Sequence, residues 1–241
     1  MQLHRGQSSK PLAEAPPRDR SADLRELGTL ASMRLPPKAP ASPSRSRSSV
    51  QLSTPPSGSP WRPSKAQLEA ATRKRVRDLM RPGLDVLFCG INPGRYSAAV
   101  GHHFAGPGNL FWPTLFAAGF TPRRFSAFEG AELLSLGFGI TNFVARCTAS
   151  ADELTPDEIR AGARQVVRKV LRFRPRFVAF VGLQAYRIAF DQRDAQVGRQ
   201  PHLIGSSVVW LLPNPSGLNA HHQPPILKQM FSALLATVRS R

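Results

Sequence analysis

Cysteine is nearly missing from this chain, with Cys89 and Cys147 the two representatives in 241 residues. Two thiols build no disulfide framework and supply too few ligands for an iron-sulfur cluster or a zinc ribbon. They fit the ordinary buried thiols of an intracellular protein. Long apolar runs are missing too. Nothing approaches the roughly 18 to 20 residues of a membrane helix, and the polar, proline-rich N-terminus has no apolar stretch of the secretory kind. The phosphate loops of nucleotide-cofactor enzymes are absent, since no glycine cluster has Gly-x-Gly-x-x-Gly spacing or ends in Gly-Lys-Ser/Thr. Acidic residues are scarce, at 15 against 33 Lys and Arg, leaving a formal charge of +18. So basic a balance favours a polyanionic partner, nucleic acid first. Residues 1–80 carry 15 basic against 6 acidic side chains and residues 81–241 carry 18 against 9, so a basic tail alone does not account for the charge.

Residues 1–62 are rich in Ser, Pro, Arg and Ala and show no sustained periodicity. Such a segment buries too little apolar surface to offset its ordering entropy. It reads as a disordered basic arm, suited to non-specific phosphate contact. The alternative is a dispensable start. From residue 63 to 241 the pattern is that of one domain. Ser64 and Gln67 form a capping box for a basic helix, striped by Leu68, Val76 and Leu79 and stopped at Pro82-Gly83. Short apolar runs at 84–89, 138–144, 177–181 and 208–212 predict buried strands. Helices are predicted at 109–116, 127–135, 155–173, 182–190 and 224–238. Thr155-Pro156-Asp157-Glu158 is the strongest start among them, with a Thr cap, Pro in first position and Glu closing the box. Residues 95–108 read as a long glycine-rich loop. Strands alternating with helices, with no hairpin signal between them, predict a three-layer α/β/α sandwich on a mainly parallel four-stranded sheet.

Two of these strands empty into Asn-Pro turns: Gly90-Ile91-Asn92-Pro93-Gly94 and Pro213-Asn214-Pro215-Ser216-Gly217. In a parallel sheet both turns fall on the same carboxyl edge, where open α/β sheets place their ligands. Two stiff, amide-bearing turns converging on one cleft are harder to explain as punctuation than either alone.

With Gly101-His102-His103-Phe104-Ala105-Gly106-Pro107-Gly108-Asn109-Leu110-Phe111-Trp112 and Asn214-Pro215-Ser216-Gly217-Leu218, the first turn closely resembles the mismatch-specific uracil/thymine DNA glycosylases. This is the second family of the uracil-DNA glycosylase superfamily. The similarity spans about residues 80–240 and leaves out the arm. It implies a monofunctional enzyme that flips uracil from DNA, chiefly from G·U mismatches, and hydrolyses its N-glycosidic bond with water, without a cofactor. Asn92 matches the residue that positions the water. Backbone N–H groups around Ile91, beside Gly90, and around residue 104 match donors to the uracil oxygens. Phe104 matches the aromatic that stacks on the flipped base, with a core phenylalanine as its alternative. Asn142 matches a pyrimidine contact, or else is a strand-end turn residue. His103 matches a pocket-proximal histidine, and Asn109 is a helix cap or loop brace more than a substrate contact. On the DNA side, the resemblance implies contacts from Asn214, Ser216 and Gly217, with the Ser216 hydroxyl and the Gly217 N–H facing the phosphates. Leu218 matches the apolar wedge that fills the vacated stack, or is a core residue under its loop.

The resemblance is incomplete. Many members have an arginine two residues after the wedge, where this chain has Ala220, which bears on strictness for an opposite guanine. Ser97 is the residue type of the uracil-preferring bacterial members, so uracil is expected over thymine. The partners implied are duplex DNA with G·U or G·T mismatches and downstream base-excision repair proteins. The protein is expected to be a monomer without membrane attachment, nucleoid-associated in a bacterial cytoplasm or nuclear in a eukaryote. The competing reading is a non-catalytic binder of damaged or mismatched DNA with the same fold.

Overall fold

The computed structural model describes residues 62–216 and 223–240. Residues 1–61 of the arm, Gly217, Leu218 and Ala220 lie outside the described residues. Five strands form one sheet in the order β2-β1-β3-β5-β4: β1 Val86–Gly90, β2 Phe138–Asn142, β3 Phe177–Val181, β4 Gly198–Ile204 and β5 Ser207–Leu212. The pairs β1–β2, β1–β3 and β3–β5 are parallel, in register at Val86↔Phe138, Val86↔Phe177 and Phe177↔Val208. Every residue of β1, β2, β3 and β5 is buried, as continuous apolar runs in a doubly covered sheet should be.

Six helices are described: α1 Lys65–Ala70, α2 Arg95–Val100, α3 Phe111–Ala117, α4 Pro156–Phe173, α5 Leu183–Phe190 and α6 Pro224–Arg239. Alternate residues of β1 feed two cores. Val86 and Phe88 pack with Phe111, Leu115, Phe231 and Leu234 beneath α3 and α6. Leu87 and Cys89 pack with Val166, Val170, Tyr186 and Phe190 beneath α4 and α5. Helix, sheet and helix therefore make three layers, as the sequence predicts.

Four elements depart from the sequence reading. The sheet has a fifth strand, because β4 pairs antiparallel with β5 through a two-residue turn at Gly205-Ser206, with Gly205 at φ +61°. Glycine at the first central position is what such hairpin turns favour. Within β4 the register slips between Arg199 and Leu203, around Pro201. The capping box of Ser64 and Gln67 is present, but α1 ends at Ala70, passes through a 3-10 turn and becomes extended at Lys74. Leu79 then exchanges two backbone hydrogen bonds of 2.9 Å with Ile140, on the free side of β2. Pairing with an exposed strand edge outweighs helix propensity in this stretch. The predicted helix at 127–135 is a 3-10 segment, Ala127–Leu134. The loop after the first Asn-Pro turn also contains α2, terminated by Gly101 at φ +76°.

Candidate active site

Because β1 and β3 are neighbours while β2 lies on the far side of β1, the sheet has its switch point between β1 and β3. A crevice belongs outside the carboxyl ends of the strands at that place. A cleft of about 850 Å³ occupies it, lined by Ile91, Asn92, Ser97, His103, Phe104, Asn109, Asn142, Asn214 and Ser216 among others. That volume is within the usual range for small-molecule sites. Both Asn-Pro turns and the glycine-rich loop thus meet in one cavity. They are also joined directly: the Leu110 N–H donates to the Pro215 carbonyl at 2.8 Å.

Asn92 follows β1 and is held by the segment after β2. Its Nδ2 donates to the Arg146 carbonyl at 3.0 Å and to Thr148 Oγ1 at 2.7 Å. With both N–H directions spent on protein acceptors, the amide can offer a ligand only its carbonyl oxygen. The support is itself braced. Thr148 N–H donates to Pro93 O at 3.2 Å, and the Arg95 N–H to Thr148 O at 3.1 Å. The Arg146 guanidinium grips Glu158 at 2.8 and 3.0 Å, and this hydrogen bonding holds the carboxyl well below its usual range, at about 2. Arg146 and Thr148 were invisible to sequence reasoning. They lie more than 50 residues from Asn92, and no local pattern marks an amide's distant acceptors.

Asn142 ends β2 opposite Gly90, its register partner on β1. A Cβ added to Gly90 would overlap Asn142 Oδ1 and stand 3.0 Å from Phe104 Cζ. Glycine at position 90 therefore lets both side chains close over the strand end. Phe104 is half-buried, stacked on Phe111 with ring centroids 4.0 Å apart, and Phe111 meets Phe88 of β1 edge to face at 5.5 Å. An aromatic column thus runs from the sheet to the cleft wall. Phe104 is thus packed against the core on one side while it lines the cleft on the other.

The backbone of Phe104 is left-handed, at φ +53°. That region costs a side-chain-bearing residue roughly 1–2 kcal/mol. Buried Ser97 helps to hold the conformation, its hydroxyl accepting from the Ala105 N–H at 3.0 Å. If strain is stored there, Phe104→Gly should be more stable than Phe104→Ala by about 1 kcal/mol in denaturant unfolding, although both lose the ring. Equal stabilities would show that the loop relaxes freely. Asn109 is the brace expected of it, since its Oδ1 accepts from the Phe111 N–H at 2.9 Å ahead of α3. In the second turn, Asn214 Oδ1 accepts from the Ser216 N–H at 3.1 Å.

His103 is buried between the cleft and the 74–82 segment. Its Nε2 faces the Arg77 carbonyl at 3.0 Å and its Nδ1 faces Asn142 Nδ2 at 3.3 Å. A proton on Nε2 and a lone pair on Nδ1 satisfy both contacts, which assigns the tautomer. Burial lowers the imidazole pKa from 6.5 to about 4. The unfolded chain therefore binds this proton more readily than the folded one. The stabilisation from neutral His103 should be complete above pH 6.5 and be lost as pH falls towards 4. It amounts to on the order of 3 kcal/mol for a shift of this size. Unfolding free energies of the parent and His103→Asn at pH 7 and 4.5 should show the parent losing more stability on acidification.

Tyr96, Ser150 and Asp152 also line the cleft, unremarked by the sequence reading. Asp152 is the sole carboxylate among the described lining residues and accepts from Ser150 Oγ at 3.2 Å. No lysine lines it among those residues. The family model of the uracil DNA glycosylase superfamily matches residues 78–239. That match takes in the whole sheet, both Asn-Pro turns and the glycine-rich loop, and it supports DNA glycosylase activity on uracil with DNA as the partner: the chain belongs to the uracil DNA glycosylase superfamily.

Proposed function

We propose that this protein is a monofunctional, mismatch-directed glycosylase that removes uracil from G·U pairs, and thymine or related damaged pyrimidines less well. The flipped base lies in the cleft against the Phe104 ring. Asn142 reads its edge, an amide being both donor and acceptor toward a pyrimidine imide. Asn92 Oδ1 accepts a hydrogen bond from the attacking water and aims it at C1′. The bond from C1′ to N1 breaks with its electron pair going to N1, through an oxocarbenium-like transition state. Water adds to C1′ and loses a proton, leaving free base and an abasic site. An amide is a poor base, so the acceleration comes from orientation and from N–H donors near Ile91 and Phe104 that stabilise the departing anion.

The observation that carries this reading is the clamp on Asn92, whose two N–H groups are tied to Arg146 and Thr148. A turn asparagine serving only as punctuation needs no such fixation. Absence of lysine among the described lining residues favours water over an amine nucleophile. Preference for uracil rests on Ser97. Preference for opposite guanine rests on the second turn, with Leu218 as the wedge and Ala220 weakening the grip. Alkali-revealed strand cleavage of labelled G·U, A·U, G·T and single-stranded uracil substrates tests the proposal. G·U should be cleaved fastest, with G·T slower. Tight binding to G·U without base release would instead indicate a damage-sensing binder.

A further inference from the structure

Helix α4 carries arginine at every fourth position from Arg160 to Arg172: Arg160, Arg164, Arg168 and Arg172. Four-residue steps place them in one row, opposite the buried face made by Ile159, Ala163, Val166, Val167 and Val170. All four are exposed. Arg160 pairs with Asp157 at 2.9 Å, and Arg172 lies over the Phe173 ring. Among the described residues no carboxylate pairs with Arg164, Arg168 or Arg172. Beyond Glu158 the helix has no acidic residue at all. A merely solvated face mixes charge signs, because like charges four apart destabilise a helix. Three such pairs in succession are a cost that solubility does not require.

We propose that this row is a second DNA-backbone contact, separate from the cleft and able to hold another segment of duplex. At 1.5 Å of rise per residue the row is about 18 Å long, with guanidinium groups about every 6 Å. Duplex DNA carries a phosphate per strand for about every 3.4 Å of axis, so the row is long enough to follow several phosphates. Guanidinium groups suit phosphate oxygens through paired N–H donors. At its start, Arg160 shares a groove of about 320 Å³ with Arg187 and Arg193, and with Asp191 as the one acid there. The placement separates the row from the chemistry. The helix starts beyond the carboxyl end of β2 and ends just before the first residue of β3, so the arginines lead away from the cleft edge. None of the four lines the cleft. The inference depends on DNA being the partner and on none of the roles proposed at the cleft.

The test is the full chain bearing Arg164→Ala, Arg168→Ala and Arg172→Ala together. Alanine removes the charge and keeps helix propensity. Binding of a long undamaged duplex should weaken, and the slope of log affinity against log salt should fall by about 2 to 3, near 0.9 for each phosphate no longer neutralised. Capture of a labelled duplex by a second, immobilised duplex should disappear as well. Base release from a short uracil duplex at saturating enzyme should remain within about twofold of the parent. Lysine at the same three positions should restore most of the salt slope. An unchanged slope and unchanged capture overturn the proposal. So does short-duplex base release falling in parallel with binding, which would place the row in the footprint of the cleft. Selective loss of binding to an acidic peptide, with DNA binding intact, would overturn it in favour of a protein partner. The slope and capture measurements need no base release, so they stand or fall apart from the glycosylase reading.

Discussion

Replacing Asn92 with alanine is expected to reduce base release from a G·U duplex by at least about 10²–10³-fold, the usual loss when one preorganised polar group is removed from a reaction centre. Binding should be nearly unchanged. Asn92 faces the cleft from a turn whose bend is maintained by Pro93 and by the Thr148 backbone, and alanine disturbs neither contact. Asn92→Asp should also fail, although a carboxylate is the better base. It would lose both N–H donors and set an anionic oxygen against the Arg146 carbonyl, so the oxygen facing the water would no longer be fixed. Single-turnover cleavage with all variants decides the point. If Asn92→Ala keeps full activity while Asp152→Asn loses it, the water is activated by the carboxylate at the cleft rim and the mechanism proposed above is wrong.

Gly90→Ala should be nearly as damaging by a different route. The added methyl overlaps Asn142 Oδ1 and crowds the Phe104 ring, so one methyl group displaces together the amide proposed to read the base and the ring proposed to stack on it. Relief requires either the β2 end or the aromatic column to shift, and overpacking of this kind costs roughly 1–3 kcal/mol of stability. A displacement near 1 Å at a reacting centre can cost about 10²-fold in rate. The expected signature is a large fall in kcat/KM with the fold retained in the circular dichroism spectrum. If the variant turns over like the parent, Asn142 and Phe104 do not hold the base in the positions seen here.

The layers and the cleft location were readable from the chain because both follow from local chemistry. Short apolar runs ending in Asn-Pro turns specify buried parallel strands and a stiff carboxyl edge. The Thr155 box with Pro156 marks the start of α4 at the predicted residue. Where tertiary pairing competes with local preference, the reading failed. Residues 74–81 carry helical spacing yet form no helix, since β2 offers an edge at Ile140 with which Leu79 pairs. The fifth strand escaped notice because Pro201 and its polar neighbours resemble a loop, although Gly205-Ser206 between apolar residues was a usable hairpin signal. In the site, the asparagines were visible one by one but their settings were not. Nothing near Asn92 in sequence announces Arg146 or Thr148. The closeness of Gly90 to Asn142 and Phe104 exists only after β1, β2 and the glycine-rich loop have met.

The margins of the sheet bear on how the protein behaves when concentrated on a polyanion. A basic chain crowding along DNA is at risk of joining strands edge to edge with its neighbours, because an open edge offers unpaired N–H and C=O groups. Here neither margin is an uninterrupted template. On one side Leu79 bonds β2 at Ile140. On the other, β4 carries Pro201, which has no N–H to give, and a register slip that breaks the flat run of donors and acceptors. Exposed Arg199 adds repulsion between copies along the same margin. The irregular strand that the sequence disguised as a loop thus doubles as a guard against self-association by strand addition.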